Sequence, residues 1–266
     1  NSFVMLFRIF ATLSFCLLFA SVLAGQALPV DPEVRIGQLE NGLHYYIKKN
    51  NKPEYRVELR LAIKAGSVQE DNDQLGIAHF VEHMAFNGTR NFEKNELINF
   101  LELSGTRFGA DLNAYTSFTE TVYQLQARTD STALLVQAML ILSDWASGVQ
   151  FSPEEIDKER GVVIAEWRSR LSPDQRLQQQ YYPVLLQDSR YAKRLPIGDP
   201  EIIEKASRAT IQRFYQDWYR PELMAIVVVG DIDPLQMEER IKATFTHLEN
   251  PESPRPRTTY TLPLHK

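Results

Sequence analysis

Apolar residues alternate with polar ones at Val57, Leu59, Leu61 and Ile63, the period of two expected of a strand with one buried face. Residues 119–128, with Val122, Tyr123 and Leu125, predict a further strand, and the apolar run 224–229 is the most strand-like in the chain. Upstream, Ile36 and Leu39 face Leu43, Tyr45 and Ile47 across Asn41-Gly42, a turn pair that predicts a hairpin over 34–48. Elsewhere the period lengthens to that of a helix: 75–86, closed by Asn87-Gly88, then 94–103, 132–147, 153–171, 173–187, 210–218 and 234–245. Pro153 and Pro173 suit a first helical turn, and Asn87-Gly88 suits a helix end. Strands and helices without strict alternation predict an α+β domain.

The first 27 residues break this pattern. Arg8 is the single ion in an otherwise apolar run that reaches Leu23 and exits through Ala24-Gly25-Gln26-Ala27, which predicts a secretory signal peptide over residues 1–27. The run is shorter than the ~20 apolar residues that span a bilayer, so no stable membrane span is expected once the signal is cleaved. The lone cysteine, Cys16, falls inside this segment, and the mature chain must hold itself together without disulfides. Domain 28–249 follows, and the Pro-rich polar stretch from residue 250 to 266 reads as a linker toward a following domain.

Composition adds limits rather than identity. A hydrophobic fraction of 44% and a charged fraction of 24% are ordinary for a protein with a real core. The net charge of −5 is spread without a basic stripe, which excludes nucleic acid as the expected partner.

The chemistry concentrates at His79-Phe80-Val81-Glu82-His83. Histidines four apart on a helix project from one face, and two ring nitrogens so placed reach a single zinc ion. Glu82 hangs beside such an ion without filling its coordination shell, where a general base belongs. The order H-x-x-E-H is a peptidase signature. Catalytic zinc takes three protein ligands, and His44, His247 and His265 lack any partner spacing. Glu159 and Glu166 share a face of the helix over 153–171; one can ligate while the other orients a ligand or the base.

Several further segments carry a resemblance. His79 to His83 with Phe86-Asn87-Gly88-Thr89, the run Gly109 to Thr116, Thr121-Val122-Tyr123, the block Glu159 to Glu166 and Val227 to Asp231 together resemble the pitrilysin/insulinase (M16) peptidases, closest in look to exported bacterial members. The resemblance implies an M16-type (LuxS/MPP-like) fold, a mixed, mainly antiparallel sheet packed against helices. It implies Zn2+ held by His79, His83 and Glu166, Glu82 as catalytic base, and Glu159 as a catalytic residue acting from behind the ligands. It also implies that Asn113 and Ala114 lie on the edge strand that receives a peptide or polypeptide substrate, a mode that reads backbone more than side chains.

The activity so implied is that of a zinc metalloendopeptidase, exported to the periplasm of a Gram-negative bacterium. Enzymes of this family enclose substrate between homologous halves, so a C-terminal half or partner subunit is expected. Two other classes compete. A non-catalytic assembly subunit of the same family would be expected to have lost ligands, and a structural zinc domain would use a closed Cys/His set that this chain does not offer.

Overall fold

The computed structural model describes residues 29–103, 113–169 and 173–262. The chain divides into Asn1–Pro32 and a larger unit, Glu33–Lys266, and the architecture below is that of the larger unit. The expected signal peptide and the Gly109 to Leu112 part of the family motif lie outside the described residues.

Six strands form one sheet in the order β1-β2-β6-β3-β5-β4. They are β1 (Arg35–Gln38), β2 (His44–Lys49), β3 (Arg56–Ile63), β4 (Asn113–Thr116), β5 (Thr121–Arg128) and β6 (Met224–Gly230). Every adjacent pair is antiparallel except β2 with β6. The Asn41-Gly42 turn joins β1 to β2 as predicted, and Asn41 Nδ2 donates to the carbonyls of Phe245 and Leu248, at 2.8 and 2.9 Å.

The alternation read in β3 is real in space. Val57, Leu59, Leu61 and Ile63 are buried, as are Met224, Ile226 and Val228 of β6. Each such side chain contributes ~1.5–3 kcal/mol on burial. The helices that cover them are α1 (Ile77–Met84), α2 (Lys94–Leu103), α3 (Thr132–Ser147), α4 (Pro153–Ser169), α5 (Pro173–Leu185), α6 (Pro200–Lys205), α7 (Arg208–Trp218) and α8 (Pro234–Phe245). α3 lies on β5 and β3 and against α8, while α1 packs on α4, α7 and β4.

Two differences from the sequence reading have plain causes. α1 starts at Ile77 rather than Leu75, because Gly76 adopts φ 94, outside the helical region. α6 was not predicted; Asp199 caps it, accepting from the Glu201 N–H, with Pro200 in the first turn. The Pro-rich stretch after Asn250 contains no helix or strand up to Leu262, but it is docked. Arg255 pairs with Asp71 and Asp217 at 2.6–2.9 Å and sits over the Trp218 ring, and Asn250 Nδ2 donates to the Asn41 carbonyl.

Candidate active site

α1 is only eight residues long, and all but His83 are buried. A helix this short is marginal alone and depends on its surroundings. Its start is held by a fully buried carboxylate from the preceding loop. Glu70 accepts from Gly76 N at 3.1 Å and from Ala78 N at 2.8 Å, so its oxygens satisfy amide donors that the start of the helix leaves without a partner. Burial pushes the Glu70 carboxyl up to about 8, against these donors and the nearby Arg194 and Arg190, which favour its charge. Gly76 also packs against Gly198, where an added Cβ would stand 2.2 Å from the Gly76 Cα. At the far end, Trp145 Nε1 donates to the Ala85 carbonyl.

The helix turns His79, Glu82 and His83 toward α4 and β4. Among the described residues, His79, His83 and Glu166 bring three ligand atoms within 4.8 Å of one another. His79 Nε2 lies 3.2 Å from His83 Nε2, and Glu166 Oε2 is 3.6 Å from the first and 3.2 Å from the second. A tetrahedral ion with bonds near 2.0–2.1 Å spaces its ligand atoms ~3.3 Å apart, so the triangle has the size zinc requires. Charge agrees with size, since Glu82, Glu159 and Glu166 surround two imidazoles. Burial lowers the His83 pKa, but hydrogen bonds to Glu159 and Glu166 and the field of the carboxylates outweigh it and push the ring up to about 9. The cluster asks for positive charge.

Glu159 does not join the triangle. Its Oε1 accepts from His83 Nδ1 at 2.7 Å, an arrangement that puts the proton on Nδ1 and turns the Nε2 lone pair toward the cluster. Its Oε2 accepts from Asn87 Nδ2 at 2.8 Å, and Asn87 also donates to the His83 carbonyl. The sequence reading gave Asn87 a place at the helix end and in the family motif but no part in the site; its signal was its position one helical turn after His83. Glu82 stands outside the three-atom group and accepts from Thr116 Oγ1 at 2.5 Å.

Asn113 and Ala114 fall on β4, opposite Gln124 and Tyr123 of β5. β4 ends the sheet order, so its outer edge pairs with no other strand among the described residues. The edge lies beside α1, and His83 and Glu166 keep side-chain exposures of 20% and 26%, so the cluster opens toward solvent. The arrangement can therefore hold a cation next to a carboxylate and a free strand edge.

Residues 45–195 match the insulinase family, peptidase family M16, and residues 205–266 match the peptidase M16 inactive domain. The chain belongs to the insulinase peptidase family M16. It is similar to the probable zinc protease PqqL of Haemophilus influenzae, 45% identical over 84% of this chain and 24% of that protein. The probable zinc protease PqqL of Escherichia coli is 43% identical over 89% of this chain and 26% of its own length. The solved structure of the periplasmic protease PqqL from Escherichia coli superposes with a TM-score of 0.84 at 41% identity, covering 90% of this chain and 26% of that one. The chain thus spans about a quarter of the length of these relatives.

Proposed function

We propose that this chain is the metal-bearing part of an exported zinc endopeptidase that hydrolyses peptides or unfolded polypeptides in the cell envelope. The observation that carries the reading is the Nε2, Nε2, Oε2 triangle of His79, His83 and Glu166 with the Glu82 carboxylate beside it. His79, His83 and Glu166 would hold the ion. Zinc bound there would lower the pKa of water and polarise the scissile carbonyl.

The remaining work falls to the chain. Glu82 takes the proton of the attacking water and delivers it to the leaving amine. Glu159 fixes the His83 ring and its tautomer, with Asn87 holding Glu159 in turn. A substrate in extended form adds to the outer edge of β4 at Asn113 and Ala114. Periplasmic residence is supported by the predicted leader and by the description of the Escherichia coli relative. No helix among the described residues is long and apolar enough to cross a membrane.

Because the chain is a quarter of its relatives' length, a homologous second half is expected to close over the β4 edge, and this chain alone is expected to bind zinc but cleave poorly. Glu82→Gln in the full-length protein tests the assignment. Zinc content should be retained and hydrolysis of a fluorogenic peptide lost; metal-dependent turnover in that variant would remove Glu82 from its role. A wild-type protein that binds zinc and cleaves nothing would favour a non-catalytic assembly subunit.

A further inference from the structure

We infer that Thr116 is a positioning residue that ties the Glu82 carboxylate to the edge strand, so that the strand receiving the substrate also aims the base. This rests on the reading of Glu82 given above. Glu82 and Thr116 come from different elements, the last turn of α1 and the last residue of β4. The Thr116 hydroxyl donates to Glu82 Oε2 at 2.5 Å, the short distance of a bond from a hydroxyl to a carboxylate.

The geometry leaves the direction of that bond unambiguous. A threonine hydroxyl has one proton. The hydroxyl closest in register, Thr121 Oγ1, lies 3.5 Å from Thr116 Oγ1 and donates its own proton to the Ala65 carbonyl at 2.9 Å. Thr121 is fully buried, so this backing does not move with solvent. Strand alternation puts Ala114 and Thr116 on the face toward α1, with Ala114 packed against the core. Tyr115 points the other way, is 41% exposed and donates from its hydroxyl to Glu120.

A peptide paired along β4 would order the strand that carries Thr116. The hydroxyl would pass that ordering to one carboxylate oxygen of Glu82, a side chain with three rotatable bonds. Strand engagement and alignment of the base are then coupled through a single hydrogen bond. Such coupling acts on the chemical step and leaves ground-state binding nearly unchanged.

The test uses the full-length protein with Thr116→Val, which keeps the β-branched shape and removes the proton donor, and Thr116→Ser, which keeps the donor. For Thr116→Val we expect kcat to fall ~10- to 100-fold, the range for a misplaced general base, with KM within about twofold and zinc content and thermal midpoint unchanged. Thr116→Ser should recover kcat to within about threefold of wild type. In the Glu82→Gln background, the Kd of the uncleaved peptide should be the same with Thr or Val at 116. A weakened Kd with unchanged kcat would overturn the inference and make Thr116 a substrate contact. Equal losses in the Ser and Val variants, or a Val variant with full kcat, would overturn it too. Should the Val variant fail to fold, recovery by Ser against loss in Thr116→Ala decides the same point. Failure of the underlying reading shows separately, as turnover in Glu82→Gln alone.

Discussion

Replacing Glu159 by glutamine isolates how the imidazole of His83 is held. The two carboxylate oxygens do different work: Oε1 accepts from His83 Nδ1 at 2.7 Å and Oε2 from Asn87 Nδ2 at 2.8 Å. A carboxamide keeps one acceptor oxygen and replaces the other with a donor. Whichever way the new amide turns, an N–H faces another N–H, and one of the two bonds is lost. Asn87 also holds the His83 carbonyl, so either orientation loosens the same ligand. Losing such an outer partner typically lowers metal affinity about 10- to 100-fold, or roughly 1.4–2.7 kcal/mol at 1.36 kcal/mol per tenfold. Competition titration of zinc against a chromophoric chelator at neutral pH measures the change, with circular dichroism to confirm the fold. Adding Asn87→Ala to Glu159→Gln should weaken zinc by less than the sum of the two single losses, as expected for two groups that act as a pair. A Glu159→Gln protein with wild-type zinc affinity, or a double variant whose loss equals the sum of the two single losses, would refute the reasoning.

Three further outcomes follow from the same region. Gly198 has φ +73 and no room for a Cβ against the Gly76 backbone, so Gly198→Ala should cost at least ~2 kcal/mol in urea unfolding; unchanged stability would mean the two glycines are not in contact. Glu70 is held up to about 8 against an ordinary 4.5. A raised folded-state pKa gives stability that is complete below pH 4.5 and lost as pH rises through 8, at up to ~1.4 kcal/mol per pH unit. Glu70→Gln should therefore gain on wild type across that window when unfolding is followed by tryptophan fluorescence, and parallel curves would refute the buried neutral acid. Arg255→Ala removes both carboxylate partners of the strap, and limited proteolysis between residues 250 and 260 should accelerate by roughly tenfold, the effect of ~1.4 kcal/mol of local stability.

What the sequence disclosed depended on whether a signal was local. The β3 and β6 strands, the Asn41-Gly42 hairpin and the α1 histidine face are each written within a dozen residues, and the structure places them as read. The site's supports are written at a distance. Glu70 precedes its helix by a loop and acts through backbone amides, which leave no residue pattern. Thr116 meets Glu82 only because β4 folds against α1, and β4 itself is a four-residue polar strand that exists through pairing with β5. Nothing in the residues alone sets Asn113-Ala114 on a strand; only the family resemblance does so. α6, by contrast, carries a legible Asp-Pro start, but its six residues are too few to show a helical period.

One feature of the sheet governs how the molecule is made. β6, drawn from far along the chain, sits between β2 and β3 and supplies the only parallel pairing among the described residues. On a ribosome adding ~5–20 residues per second, the 160 residues between Ile63 and Met224 take about 8–30 s to emerge. Throughout that interval β2 and β3 present unsatisfied inner edges, the condition that invites wrong pairing with other chains. The histidine helix and the three glutamates of the cluster, Glu82, Glu159 and Glu166, are synthesised before the strand that closes the floor beneath them. A nascent chain stopped between Glu166 and Met224 would thus carry every group of the site on a sheet still split into β1-β2 and β3-β5-β4, which makes β6 the step that commits the chain to its shape.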